Sequence, residues 1–172
     1  MNVGENLDKI KKEIPESVKL VAVSKTKPDE MIMDAYRVGH RHFGENKVQE
    51  LTARQPNLPQ DIQWHFIGHL QTNKVKYLAP FVSMIESVDR LKVLKEINKQ
   101  AAKVERVIPC LLQFHIAEEE TKFGLDLAEA KELLESEVYA VMKNIRLEGV
   151  MGMATFTENT DRIRREFKLL RN

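Results

Sequence analysis

The run Val21-Ala22-Val23-Ser24-Lys25-Thr26-Lys27-Pro28 places an amine where chemistry is possible. Val21 and Val23 have the strand-forming shape. Pro28 cannot continue a strand ladder but suits the first turn of a helix. The run reads as a buried strand that ends at Lys25 and hands over to a helix. Strand side chains alternate faces, so Lys25 points the same way as Val21 and Val23. That puts an amine at the rim of an apolar interior, at the carboxyl end of a strand, where barrels and open α/β sheets keep their reactive groups. Two readings are open at this point. One is a solvated lysine whose stem lies on apolar neighbours. The other is a Schiff-base lysine: desolvation and a second cation, here Lys27, both work against the ammonium, and a neutral amine attacks an aldehyde.

Other residues gather at strand ends. Gly44-Glu45-Asn46 follows a second strand, and His65 with the loop from His69 to Lys74 follows a third. His115 and Thr121-Lys122-Phe123-Gly124 follow a fifth, and Gly152 and Met153 close a sixth. An amine, an amide, histidines and glycines converge with few carboxylates, which argues against paired-carboxylate hydrolysis. No Gly-x-Ser-x-Gly elbow is present. His65 and His69 span a strand end and a loop with no cysteine pair, a poor zinc site. His40 and His42 lie at a helix-to-strand turn, the stability side of a barrel.

The elements that would hold these residues alternate. A charged helix at 4–13, with Leu7 and Ile10 as its stripe, precedes a strand at 19–25. Then come a helix at 29–38 with Gly39 as C-cap, a strand at 41–45, a helix at 47–54 and a strand at 63–68. A helix ends near residue 78 and a strand spans 81–88. Asp89 is the expected N-cap of a helix running to 103. A nearly continuous apolar strand at 107–116 suits burial on both faces. A helix at 127–134, a strand at 145–154 and a helix at 157–170, striped by Ile163, Phe167 and Leu170, complete the chain. Strict alternation predicts βαβ units and a parallel sheet. No Gly-x-Gly-x-x-Gly follows the first strand and no P-loop occurs, so an α/β barrel is favoured over a dinucleotide-binding sheet.

Composition bounds the function. The chain has 172 residues and a net charge of +1, enough for one buried domain. Its even charge gives no electrostatic case for nucleic acid or a membrane surface. Arg162, Arg164 and Arg165 beside Glu166 read as an exposed helix face. Cys110, the single cysteine, sits in an apolar run and excludes an internal disulfide. No stretch approaches the ~20 apolar residues of a membrane helix. A cytoplasmic protein is the expectation.

Four stretches together resemble one family. They are Val23-Ser24-Lys25-Thr26-Lys27-Pro28; Phe43-Gly44-Glu45-Asn46 with Val48-Gln49-Glu50; Trp64-His65-Phe66-Ile67-Gly68 with Leu70, Gln71, Asn73 and Lys74; and residues 149–153. In that order and spacing the chain resembles the pyridoxal-phosphate homeostasis proteins across nearly its whole length. The resemblance implies an α/β fold: a single PLP-binding (β/α) barrel similar to the alanine racemase N-terminal domain. It also implies that Lys25 holds pyridoxal 5'-phosphate (PLP) as an internal aldimine, with Asn46 close to the cofactor ring and His65 and Met153 at further strand-end positions. Lys122 matches a family lysine on a loop. The family pattern continues through a seventh and an eighth unit that supply most of the phosphate cup. This chain shows six, so residues 1–172 are expected to form a C-terminally incomplete barrel.

The function so implied is to hold PLP within the cell without substrate turnover and to pass it to PLP-dependent enzymes. Racemisation takes a second base, a tyrosine from another domain in the racemases. Two alternatives stand beside this reading: a PLP-dependent amino-acid racemase or decarboxylase, and a truncated barrel that no longer binds cofactor. A monomer or weak homodimer is expected.

Overall fold

The computed structural model describes residues 3–117 and 123–171. Six strands form one sheet in the order β1 to β6, every neighbouring pair parallel. They are β1 (Ala22–Val23), β2 (His42–Glu45), β3 (Gln63–Phe66), β4 (Met84–Val88), β5 (Ile108–Phe114) and β6 (Ile145–Gly152). The helices are α1 (Val3–Glu13), α2 (Asp29–Arg37), α3 (Val48–Arg54), α4 (Val75–Leu78), α5 (Leu91–Lys103), α6 (Leu127–Glu135), α7 (Glu137–Ala140) and α8 (Thr160–Arg171). Sequential parallel neighbours joined by helices are what alternating βα units produce. Here the sheet is a barrel-like array whose edges are β1 and β6.

Alternation along each strand sorts side chains between helices and interior. Phe43, Trp64, Phe66, Ile85, Ile108, Cys110 and Leu112 belong to the buried core shared with the helices. From α5, Val93, Leu94, Ile97 and Ala101 complete it. Burial pushes the Cys110 thiol up to about 12, which leaves it an unreactive core residue at neutral pH. The other strand face, carrying His42, Gly44, His65 and Glu86, looks into the interior.

Four expectations are corrected. The first strand is only two residues long, because it pairs on one side and a turn begins at Ser24. Helix α5 starts from Arg90, not Asp89; the Asp89 carboxylate is instead engaged by His69 and Arg90. Strand β5 is buried toward the helices, while Pro109, Leu111 and Phe114 are only half-buried. On α8, Phe167 is exposed and Glu166 is the buried residue. Its carboxylate accepts the Thr155 N–H at 2.6 Å and the Thr155 hydroxyl at 2.7 Å, and Arg162 bridges to it. A satisfied carboxylate therefore ties the end of β6 to the last helix through Glu166 and Arg162, while Arg164 and Arg165 form the exposed face expected.

Candidate cofactor site

At the carboxyl ends of the strands lies a cavity of about 510 Å³, within the usual range for small-molecule sites. Lys25, Asn46, Glu86, Gln113 and His69 bring polar groups to it, and Val21, Ile67, Met151 and Met153 bring apolar ones. It forms there because each parallel strand hands over to its helix at this end, so six strand ends face one space.

Lys25 follows β1 directly and is exposed at the rim. It sits in a turn closed by the Lys27 N–H donating to the Ser24 carbonyl at 3.0 Å. Thr26, the next residue, has φ 64°, an uncommon conformation for a β-branched side chain. The end of β1 is fixed to β2 by the Ser24 N–H to the Gly44 carbonyl and by the Ser24 hydroxyl to Glu45 Oε1 at 2.6 Å. Glu45 itself is fully buried on the helix side of β2, where Arg54 pairs with it at 2.7 Å. The acid of the Gly44-Glu45-Asn46 run is thus structural, and the amide beside it is the group that reaches the cavity.

Asn46 Oδ1 is buried with no hydrogen-bond partner. Buried polar atoms are nearly always paired; Glu45 Oε2, in the preceding residue, is unpartnered as well. Gly68 holds this wall in place: a Cβ there would lie 2.1 Å from the Asn46 carbonyl oxygen, so only glycine permits the approach. Next to Gly68, His69 stacks on Phe123 with centroids 4.0 Å apart, and its Nδ1 lies 2.9 Å from Asp89 Oδ2.

His65 lies one layer below. It is buried, with Nδ1 2.6 Å from Glu86 Oε1 and Nε2 3.1 Å from His42 Nδ1. The carboxylate, not the imidazole, lines the cavity, so His65 reaches the site through Glu86. Met153 lines the cavity directly. Three of the four residues singled out from sequence therefore meet in one cavity, and the fourth supports its floor. Lys122 lies outside the described residues. Glu86, Gln113 and Met151 were not anticipated. The signal available for Glu86 was a carboxylate in the middle of the apolar strand β4.

The donor set can be tested against an aromatic aldehyde such as PLP. One amine faces an interior with an unpartnered amide oxygen, a carboxylate and a second amide, between aliphatic and thioether walls. This fits a flat heteroaromatic ring with polar substituents and a carbonyl. No group of three His, Cys, Asp or Glu among the described residues suits a metal ion. Among those residues no helix is long and apolar enough to cross a membrane.

Comparison with known proteins agrees with this geometry. The alanine racemase N-terminal domain model matches residues 2–172. The pyridoxal phosphate homeostasis protein of Aquifex aeolicus is 37% identical over 182 residues, an alignment covering 99% of this chain and 79% of that protein. The protein of the same name from Vibrio alginolyticus is 35% identical over 161 residues, covering 91% of this chain and 68% of its own. Among solved structures, PipY of Synechococcus elongatus without PLP superposes with a TM-score of 0.90 at 31% identity, covering 98% of this chain and 79% of PipY. PipY with PLP bound gives a TM-score of 0.86 over 98% and 78%. An alanine racemase of Clostridium difficile, 17% identical, shares the fold at a TM-score of 0.74, with 99% of this chain matching 46% of that one.

Proposed function

We propose, since the chain belongs to the pyridoxal phosphate homeostasis protein family, that it binds PLP and holds it covalently on Lys25. The carrying observation is that Lys25 and Asn46 line one cavity at the carboxyl ends of the strands, with Asn46 Oδ1 buried and unpartnered. PLP, when bound, would be held by Lys25 and Asn46 and would supply an electrophilic aldehyde carbon to the Lys25 amine. Asn46 orients the ring through its free oxygen. Met153, with Met151 and Ile67, gives the ring apolar contact. His65 Nδ1 lies 2.6 Å from Glu86 Oε1 and so holds that side chain in place at the cavity floor.

Holding without turnover is the reading that the placement of the tyrosines supports. Racemisation requires a second base on the opposite face of the bound substrate. Tyr36 donates to Asp61, Tyr77 lies under Lys74 and Lys76, and Tyr139 packs against the core. All three tyrosines are committed away from the cavity. The role that fits is a carrier that limits free aldehyde and releases PLP to PLP-dependent enzymes.

The test is an absorbance spectrum of the chain after incubation with PLP and desalting, beside Lys25→Ala. A visible band lost in the variant is expected. Absence of any band in the folded wild-type chain overturns the proposal.

A further inference from the structure

The turn carrying Lys25 is gripped from outside the cavity by Arg54, the last residue of α3. Its side chain is 13% exposed. Nη1 donates to Glu45 Oε1 at 2.7 Å and reaches the Ser24 carbonyl at 3.4 Å. Nη2 donates to the Lys27 carbonyl at 3.0 Å, and Nε lies 3.3 Å from Asp29 Oδ1. One guanidinium thus holds the carbonyl immediately before Lys25, the carbonyl two residues after it, and carboxylates on β2 and α2. Glu45 is the anchor, since the same oxygen also accepts the Ser24 hydroxyl.

Two further facts make this more than an ion pair. The segment between the gripped carbonyls contains Thr26 at φ 64°. A β-branched residue in the left-handed region persists only where its surroundings over-determine it. The edge strand β1 contributes just two paired residues, so ladder hydrogen bonds alone hold this turn weakly. A planar fork of five N–H donors suits two carbonyls and two carboxylates at once, which a single ammonium does not.

We infer that Arg54, anchored by Glu45, is a positioning residue for Lys25: it fixes the Ser24–Lys27 turn so that the amine is presented to the cavity. The inference rests on Lys25 being the attachment residue proposed above. It does not place Arg54 in contact with PLP.

The test separates positioning from plain ion pairing. Removing Arg54 alone strands a buried carboxylate, so the informative variant is Glu45→Gln with Arg54→Met. Two readouts are taken on the full chain well below its melting temperature. One is amide hydrogen exchange at Lys27 without ligand. The other is the rate at which PLP, fixed by borohydride, labels the Lys25 peptide by mass spectrometry. With the fold retained by circular dichroism, exchange about tenfold faster and labelling about tenfold slower are expected. Wild-type exchange and labelling in that variant overturn the inference and leave Lys25 as the attachment residue. If the wild type itself takes no label at Lys25, the attachment proposal fails, while the exchange readout still decides whether Arg54 holds the turn. Arg54→Gln, which keeps one donor group for Glu45 and cannot span both carbonyls, replaces the double variant if that variant does not fold, with the same two outcomes.

Discussion

The two ends of the sheet treat their polar groups differently. At the amino ends of the strands, side chains stitch loops together. Arg41 pairs with Asp61 at 2.8 Å, Tyr36 donates to the same carboxylate at 2.7 Å, and Arg41 also donates to the Tyr36 carbonyl. Arg106 donates to the carbonyls of Ala79 and Val82 at 2.5 and 2.6 Å, and Asn144 donates to the Arg106 carbonyl. At the carboxyl ends an amide oxygen is orphaned, a threonine is left-handed and a lysine stands open at the rim. One end is finished as structure. The other carries unmet hydrogen-bonding capacity, the mark of a surface shaped for something it binds, whereas left-handed backbone occurs at both ends, at Thr26 and at Glu105. Strand polarity explains the division, since loops after the strands vary without disturbing those that close the opposite end.

The largest effect expected from this contrast is at the stitched end. Arg106→Ala removes two charge-assisted bonds and leaves two helix-to-strand carbonyls without their donor. Burial already makes the guanidinium less basic than usual, so its charge is held there at a cost that the two carbonyls offset. A loss of about 2–3 kcal/mol is expected, or roughly 5–10 °C in melting temperature. PLP affinity of the remaining folded protein should be unchanged. A melting curve matching wild type would break the assignment of this end to stability.

The opposite pattern is expected at the open end. Asn46→Ala deletes an amide whose Oδ1 pays a burial penalty without a partner. Melting temperature should stay level or rise slightly, because an unsatisfied buried atom costs about 1–3 kcal/mol and the small cavity left behind offsets part of that gain. PLP affinity should fall by about tenfold, equivalent to about 1.4 kcal/mol. Isothermal titration beside scanning calorimetry measures both. A variant that is less stable yet binds normally would show Asn46 to be a structural residue.

Much of this division was legible in the sequence. Alternating βα patterns gave the six parallel strands in order, whereas strand alternation could not place Lys25, because β1 ends at Val23 and a turn carries the lysine. The orphaned amide at Asn46 was reachable because a strand end and a glycine mark it. Glu86 and Gln113 were not legible, because their arrival at the cavity depends on the register of β4 and β5 against their neighbours. Both pairs contain register shifts, at Ile85/Val88 and Cys110/Leu111. Arg54 escaped for a related reason: its partners lie 9 to 30 residues away in sequence, so no local pattern marks it. On α8 the expected stripe keeps Ile163 and Leu170 half-buried but loses Phe167, because apolar spacing alone does not reveal that Thr155 offers Glu166 two donors.

The smallest effect expected is a pH dependence that originates at the stitched end. His40 is buried and donates Nε2–H to the His42 carbonyl at 2.7 Å. Burial holds its pKa below the ordinary 6.5, a shift only partly offset by that hydrogen bond, with Lys11 and Arg41 adding to it. His42 is lowered likewise by burial first, then by His65, Lys19 and His40. In both cases the folded chain resists protonation that the unfolded chain accepts. As pH falls through 6.5, the unfolded state binds more protons, so stability declines on acidification and levels off only below the folded-state values. Between pH 7.5 and 5.5 the urea midpoint should therefore drop, and His42→Asn should flatten the slope by removing one of the two groups. The drop should be smaller than the Arg106→Ala loss, because His42 is partly solvated and its charge is screened. A midpoint that rises on acidification would mean that the histidines gain acidic partners on folding. The chain His42–His65–Glu86 would then couple the stitched end to the cavity floor, in place of the separation drawn between them.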